Sequence, residues 1–262
     1  MALMRIGELE LNVRQWGHGE AVFLVHGLGT SSHLWINQIG VLAAHYHVIA
    51  IDLRGFGRSS KPRARAAYSI ELMADDVIDV CRALQLRQIH YLGVSMGGFI
   101  GQAVALKAPH LCRSLILAQT AAEFGIPAEV LTARLAALEK MSMDEYAILV
   151  ASQALAQPPD PIVNEWLREL IANNDREAYK YVLAGALAEF NLVNKVGTIN
   201  CPTLVIPADD DRAIPPAKGL ALSQMIPGAR HANIAGAGHI SYAEQPAEFN
   251  RIVLEFLAGQ RR

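Results

Sequence analysis

The chain has 262 residues, of which 52% are hydrophobic and 18% are charged, and its formal net charge is −2 at pH 7. This composition is typical of a soluble globular protein with enough chain for a large core. Because the charge is nearly balanced, it gives no electrostatic case for binding nucleic acid or an anionic membrane surface. The first residues lead directly into a strand pattern without a hydrophobic leader or a membrane span, so we expect a cytoplasmic protein.

The first elements along the chain are strands. Residues 4–16 alternate apolar and polar side chains, which predicts an antiparallel edge hairpin. Six apolar runs are also predicted to be strands: residues 21–25, 47–51, 89–92, 115–118, 203–206 and 231–235. Helical patterns separate several of them, at residues 69–84, 98–107 and 247–257. Continuous apolar strands with helices between them favour a parallel sheet that helices cover on both faces.

The region between residues 120 and 200 has no strand pattern. Four helices are predicted there, at residues 128–140, 144–155, 161–173 and 176–190. Ser142 and Glu145 have the spacing of a capping box, and Asp175 is placed to cap the fourth helix. We therefore predict an α/β core of residues 1–120 and 200–262, with a helical cap of residues 121–199 inserted after the sixth strand.

The cysteines indicate neither a disulfide framework nor a metal site. The chain has three, Cys81, Cys112 and Cys201, which are far apart and lie in apolar segments. An odd number of scattered cysteines predicts reduced residues in the core.

The most informative stretch is Gly-x-Ser-x-Gly at residues 93–97. It lies between a predicted strand and a predicted helix, which is the context of a nucleophile elbow. Because the turn of an elbow is sharp, we expect a strained backbone at Ser95, and Gly93 and Gly97 let the strand and the helix approach closely. Ser95 is therefore predicted to be a nucleophile at the amino terminus of the following helix.

A serine nucleophile needs a base and an acid that orients the base. His239 is the candidate base because it follows the last predicted strand on a loop of small residues. The acid is expected after the strand at 203–206, where three consecutive aspartates occur. Asp211 is preferred for its spacing to Pro215, and Asp210 is kept as the alternative.

The tetrahedral intermediate of acyl transfer also needs two backbone N–H donors. Met96, directly after the nucleophile, is one predicted donor. Leu28 is the other, in the loop that follows the strand at 21–25. Gly27 and Gly29 on either side of Leu28 let this loop lie close to the elbow.

With these motifs in the order Ser, Asp, His, the chain resembles the α/β-hydrolase fold superfamily over essentially its full length. The matching segments are His26-Gly27, Asp52-Leu53-Arg54-Gly55-Phe56-Gly57-Arg58-Ser59, Gly93-Val94-Ser95-Met96-Gly97-Gly98, Asp211 four residues before Pro215, and Gly236-Ala237-Gly238-His239 with Glu244-Gln245-Pro246. The resemblance implies a mostly parallel central sheet flanked by helices and a triad of Ser95, Asp211 and His239. It gives residues 52–59 a structural role.

Within the superfamily, the elbow, residues 117–122 and the last motifs are similar to the 3-oxoadipate enol-lactonase and small carboxylesterase group. The resemblance implies a serine hydrolase that cleaves a small carboxylic ester or (enol-)lactone through an acyl-enzyme, without a metal or organic cofactor. Ala208 stands where many relatives have glycine, so the turn before the acid can differ. Gln119 stands where some relatives place the acid, and its amide leaves Asp211 as the better choice.

Two alternative functions stay open. One is hydrolysis of a carbon–carbon bond in a diketone-type catabolic intermediate, although Leu28 and Ile240 stand where such relatives usually have a Gly-rich loop and a Trp. The other is a ligand-binding protein with slow turnover that keeps its triad. A serine at the elbow excludes the dehalogenases and epoxide hydrolases that use an aspartate nucleophile.

Substrate contacts are predicted from large apolar residues of the cap and of the loops near the elbow. The candidates are Trp35, Phe99, Phe124, Trp166, Tyr179, Phe190, Ile214 and Ile240. A basic cluster on one loop would attract a substrate that bears a carboxylate: Arg58, Lys61, Arg63 and Arg65. The expected partner is a small-molecule ester or lactone, and the sequence indicates no oligomeric state.

Overall fold

The computed structural model describes residues 2–260 and contains one eight-stranded sheet in the order β1-β2-β4-β3-β5-β6-β7-β8. The strands are β1 Ala2–Ile6, β2 Leu9–Trp16, β3 Ala21–Val25, β4 His47–Ile51, β5 Ile89–Val94, β6 Cys112–Ala118, β7 Thr203–Ile206 and β8 Arg230–His231. β2 pairs antiparallel with β1 and β4, and all other neighbours are parallel. The predicted edge hairpin and parallel sheet are confirmed.

Strands β3 and β5 form the centre of the sheet and are buried along their whole length. Such strands have helices on both faces, which explains their unbroken apolar sequence. The three cysteines are buried and free, as predicted.

The last strand is shorter than predicted. Only Arg230 and His231 belong to β8, and the rest of the run at 231–235 pairs through a single bridge between Ala208 and Ile234. The ladder is interrupted because Pro207, which follows β7, has no N–H to donate to the neighbouring strand. Strand pairing ends here, and the chain continues as the loop that carries His239.

Helices cover the sheet, and a helix follows each loop of the site. They are α1 Ile36–Ala43, α2 Ile70–Ala83, α3 Met96–Lys107, α4 Ala128–Lys140, α5 Met143–Ala154, α6 Pro161–Ala172, α7 Arg176–Tyr181, α8 Pro216–Met225, α9 Ser241–Glu244 and α10 Pro246–Ala258. Helices α1, α8 and α9 were not predicted from the sequence. Among residues 2–260, no helix has the length and apolar character to cross a bilayer.

Helices α4 to α7 lie between β6 and β7. Ser142 and Glu145 form the predicted capping box of α5, and Asp175 caps α7 through the N–H of Ala178. The predicted helix at 176–190 was wrong in its second half, because a π-helical turn at Val182–Leu187 follows α7. Within this turn the carbonyl of Ala184 accepts from the Arg65 side chain at 3.0 Å.

Candidate active site

Ser95 lies in the sharp turn between β5 and α3. Its φ of +53° and ψ of −119° are rare for a residue with a side chain, so the backbone is strained as an elbow requires. A Cβ on Gly97 would lie 2.2 Å from the carbonyl oxygen of Val25, and one on Gly93 would lie 2.3 Å from the carbonyl oxygen of Gly97. Only glycine fits at these two positions, and their close packing lifts Ser95 above the sheet.

Three polar side chains form a continuous chain of hydrogen bonds at this turn. The Oγ of Ser95 lies 2.9 Å from Nε2 of His239, and Nδ1 of His239 lies 2.7 Å from Oδ2 of Asp211. Because the Asp211 carboxylate can only accept, Nδ1 carries the proton of a neutral imidazole, and Nε2 is free to accept from the Ser95 hydroxyl. The structure thus brings together the three residues predicted to act in catalysis.

The three consecutive aspartates have different partners. Asp211 is buried, and its second oxygen accepts from the N–H groups of Ala213 and Ile214 at 2.9 and 2.8 Å. Asp210 instead accepts from the N–H of Gln157 at 3.2 Å, and Asp209 accepts from the N–H of Gly236. Asp211 is therefore the aspartate aimed at His239.

The loop after β3 packs directly on the elbow. A Cβ on Gly27 would lie 3.2 Å from Cβ of Ser95 and 3.7 Å from its Oγ, so this backbone borders the hydroxyl. Leu28 follows in the same loop, and Met96 is the first residue of α3, whose N–H has no partner within the helix. Both predicted oxyanion donors therefore belong to backbone beside Ser95.

His26 holds this loop from below. It is fully buried, its Nε2 accepts from the N–H of Leu53 at 3.0 Å, and Nδ1 lies 2.7 Å from the carbonyl of Gly27. Burial lowers the pKa of His26, which outweighs the opposing effects of the Asp52 charge and the Gly27 carbonyl. His26 is thus a neutral structural residue, and its two bonds fix the path of the loop toward Leu28.

Asp52 organises the turn after β4, as the resemblance implies. Its carboxylate accepts from the backbone N–H groups of Ser32 and Arg58 at 2.7 and 2.9 Å and from the Asn12 amide at 2.9 Å. Burial alone would raise the pKa of Asp52, but the N–H groups of Arg58 and Ser32 oppose it, and the pKa lies below its usual value. None of these contacts involves the Ser95 hydroxyl.

A cavity of about 100 Å³ lies above Ser95 and His239, and a smaller one of about 50 Å³ lies beside it toward Ile240. Of the predicted substrate contacts, Phe99, Phe124, Tyr179 and Ile214 line the larger cavity, together with the predicted oxyanion donor Leu28. The smaller one is lined by Leu28, Ile240 and mainly apolar neighbours. The space around the hydroxyl is therefore small and largely apolar.

Three predicted contacts line neither cavity. Trp35 is fully buried and packs against Tyr242 with ring centroids 5.7 Å apart. Phe190 lies behind the cavity wall, where it stacks on Phe99 at 4.3 Å, and Trp166 is partly buried on α6. In each case the large side chain is used for packing.

Helices α4 and α5 contribute contacts that were not predicted from the sequence. Arg134, Tyr146, Val150 and Gln153 line the larger cavity, and the same four side chains line an outer groove of about 440 Å³ between α4 and α5. These shared residues make the groove continuous with the space above Ser95. Arg134 lies on the apolar face of α4, beside the Leu131, Leu135 and Leu138 series, and a charge on such a face was the signal that could have identified it.

Arg134 is the cation of the cavity wall. It is partly buried, and no carboxylate in residues 2–260 forms an ion pair with it. Burial raises the pKa of Tyr146 and Tyr179, and the Arg134 charge opposes that rise at both hydroxyls, which places the guanidinium near them.

The predicted basic cluster lies elsewhere. Arg63 pairs with Asp175 at 2.9 Å and Arg65 pairs with Glu189 at 2.8 Å, while Lys61 donates to backbone carbonyls. No member of the cluster lines either cavity at Ser95. Arg63 and Arg65 therefore contact the segment between β6 and β7 instead of lining the space at Ser95.

Comparisons with known proteins agree with this fold. A family model described as the alpha/beta hydrolase fold matches residues 20–144. A putative carbamate hydrolase RutD of Variovorax paradoxus is 33% identical, with 92% of each chain covered. The 3-oxoadipate enol-lactonase 2 of Acinetobacter baylyi is 31% identical, covering 94% of this chain and 92% of that protein.

Among solved structures, the enol-lactonase from Burkholderia xenovorans LB400 superposes with a TM-score of 0.91 at 30% identity. The match covers 97% of this chain and 98% of that one. The similarity in sequence and in fold to these relatives therefore extends over nearly the whole chain. On these grounds the chain belongs to the α/β-hydrolase fold family of enzymes.

Proposed function

We propose that this chain is a serine hydrolase that cleaves a small carboxylic ester or lactone. The observation that carries the proposal is the hydrogen-bonded series of Asp211, His239 and Ser95 at the floor of a cavity. A serine hydroxyl becomes a competent nucleophile only when a base takes its proton, and this series supplies the base and its orienting acid.

In the proposed reaction, Nε2 of His239 takes the Ser95 proton as Oγ attacks the substrate carbonyl. Asp211 stabilises the imidazolium that forms, and the N–H groups of Leu28 and Met96 stabilise the oxyanion. His239 then protonates the leaving oxygen as its bond to the acyl carbon breaks, which leaves an acyl-enzyme. The alcohol of an ester departs at this step, whereas the oxygen of a lactone stays on the opened acyl chain. Water, activated by His239, attacks the acyl carbonyl and releases the carboxylic acid and free Ser95.

The cavity wall favours a substrate with its own negative charge. Arg134 lines the space above Ser95, and no carboxylate within residues 2–260 pairs with it. A guanidinium binds a carboxylate through paired hydrogen bonds. Two relatives are named for 3-oxoadipate enol-lactone hydrolysis or as an enol-lactonase. The enol-lactone of 3-oxoadipate keeps one free carboxylate, so we propose a lactone of this kind as the substrate.

Carbamate hydrolysis is the second candidate. A relative of 33% identity is named as a putative carbamate hydrolase. A carbamate carbonyl is open to the same attack by Ser95, and the same oxyanion donors would serve it.

We also propose that residues 121–199 act as a cap domain over a hydrolase core of residues 1–120 and 200–262. Helices α4, α5 and α7 of this region supply Arg134, Tyr146, Val150 and Tyr179 to the cavity wall. In this arrangement the core performs the chemistry and the cap selects the substrate.

Steady-state turnover of 3-oxoadipate enol-lactone, p-nitrophenyl acetate and a small carbamate tests the proposal. We expect a kcat/KM for the lactone at least about 100-fold above that for the neutral ester, and no activity in Ser95→Ala. Equal rates in Ser95→Ala and wild type would overturn the serine mechanism. Preference for the carbamate would move the assignment to the second candidate.

A further inference from the structure

Glu244 lies at the junction of the cap and the catalytic histidine loop. It is the last residue of α9, five positions after His239, and no step of the proposed reaction uses it. Its Oε1 accepts from the N–H of Ala156 at 2.7 Å, and its Oε2 accepts from the N–H of Gly238 at 3.0 Å. One carboxylate thus joins the chain after α5 to the residue that precedes His239.

The neighbouring backbone is joined in the same place. The N–H of His239 donates to the carbonyl of Ala154, the last residue of α5, at 2.7 Å. Arg212, next to the acid Asp211, donates to the carbonyl of Leu155 at 2.5 Å. Carbonyls at the end of a helix lack partners within it, and here the two catalytic loops provide them. The end of α5 is therefore held by the loops of both the base and the acid.

Glu244 lies in an environment that disfavours its charged form. Burial raises the pKa of Glu244, while the N–H groups of Ala156, Gly238 and Ile240 and the nearby His239 oppose the rise. A carboxylate with three backbone donors is satisfied only while these donors converge on it. With acceptor bonds to both sides of the junction, the Glu244 carboxylate can fix the position of the histidine loop.

We propose that Glu244 is a positioning residue that holds the His239 imidazole at Ser95 by joining the histidine loop to residues 154–156 of the cap. The inference rests on the proposed function, because it assigns to Glu244 an effect exerted through the base. It also makes the cap part of the catalytic geometry as well as a wall of the substrate cavity.

The variant Glu244→Gln separates the two bonds. An amide has one acceptor oxygen, so its NH₂ group would face one of the two N–H donors and that bond would be lost. We expect kcat for p-nitrophenyl acetate to fall about 10- to 100-fold with KM changed less than about threefold, since small displacements of a catalytic group cost rates of this order. Glu248→Gln, a carboxylate on α10 that pairs with Arg251 on the surface, is the matched control and should keep wild-type rates.

A double-mutant cycle with His239→Ala tests whether Glu244 acts through the base. His239→Ala alone should lower kcat/KM at least about 1,000-fold, and Glu244→Gln should then add less than about a twofold loss. Full activity of His239→Ala would overturn the proposed function itself. An equal loss from Glu244→Gln in both backgrounds, or a loss no larger than that of Glu248→Gln, would overturn only the positioning role. If Glu244→Gln does not fold by circular dichroism, Glu244→Asp, which keeps both acceptor oxygens on a shorter side chain, enters the same cycle under the same criteria.

Discussion

Gly238 packs directly against the main chain of Ala154, the last residue of α5. A Cβ on Gly238 would lie 2.6 Å from the carbonyl oxygen of Ala154, which also accepts from the N–H of His239. A distance this short cannot be relieved by turning a side chain, because the crowded atom belongs to the backbone. The histidine loop and the end of the cap helix can therefore be this close only with glycine at this position.

Gly238→Ala is expected to lower kcat by about 10- to 100-fold, because relief of the clash must move the cap or His239. The measurement is steady-state kinetics on p-nitrophenyl acetate, with folding checked by thermal unfolding. Gly236→Ala is the control in the same loop: its Cβ would meet nothing within 4 Å, although its φ of +65° makes alanine strained there. Equal activity losses in the two variants would show that loop strain, and not the contact with the cap, accounts for the effect.

Matched asparagine variants of Asp211 and Asp210 test which aspartate is the acid of the triad. Asp211→Asn should lower kcat by roughly 1,000- to 10,000-fold, because an amide at this place favours the wrong imidazole tautomer. Asp210→Asn should change kcat less than about threefold, since Asp210 bonds to the Gln157 N–H and not to the imidazole. The reverse ranking in steady-state assays would make Asp210 the acid.

Arg134→Gln tests the origin of charge selectivity. Loss of a charge-assisted bond to substrate should lower kcat/KM for the enol-lactone by about 10- to 100-fold. The value for p-nitrophenyl acetate, which has no carboxylate, should stay within about threefold and acts as an internal control. Arg63→Gln, at a cation paired with Asp175 outside the cavity, should leave both values unchanged. A parallel loss on both substrates would contradict carboxylate binding by Arg134.

Asp52 makes stability depend on pH. Because its pKa is lower in the folded protein than the usual value, its carboxylate stabilises the fold above the ordinary aspartate pKa, and this contribution is lost as the pH falls through the lowered value. Asp52→Asn should reduce the free energy of unfolding by about 2–3 kcal/mol at pH 7, with a shrinking difference below about pH 4.

Urea unfolding between pH 3 and pH 7 measures this difference. Asp79→Asn, at an exposed aspartate that pairs with Arg82, is the control and should change stability by less than about 1 kcal/mol at every pH. A constant difference between wild type and Asp52→Asn across this range would contradict a role for the Asp52 charge.

The central strands and the elbow at Ser95 could be predicted because the pattern of neighbouring residues alone determines them. Strands β3, β4 and β7 begin and end where their apolar runs do, since strands buried on both faces need unbroken apolar sequence. Ser95, between Gly93 and Gly97, was identifiable because close packing of strand and helix leaves no other residue type at those two positions.

Features that depend on distant partners could not be predicted. The end of β8 depends on Pro207, which follows the neighbouring strand β7. The π-helical turn after α7 contains a carbonyl, that of Ala184, that bonds to Arg65 from a remote segment. Trp35 and Phe190 looked like substrate contacts, but a large apolar side chain packs a core as readily as it lines a cavity. The position of Arg134 in the cavity wall could not be predicted, because it depends on which face of α4 packs toward Ser95.

Trapping an acyl-enzyme shows directly whether Ser95 is the nucleophile. Wild-type protein is mixed with p-nitrophenyl acetate, quenched within milliseconds and analysed by intact and peptide mass spectrometry. We expect a burst of one equivalent of nitrophenol per site and one acetyl group on the peptide that carries Ser95. Both should be absent in Ser95→Ala. Turnover without an acetyl group on Ser95, or an equal burst in Ser95→Ala, would contradict this role of Ser95.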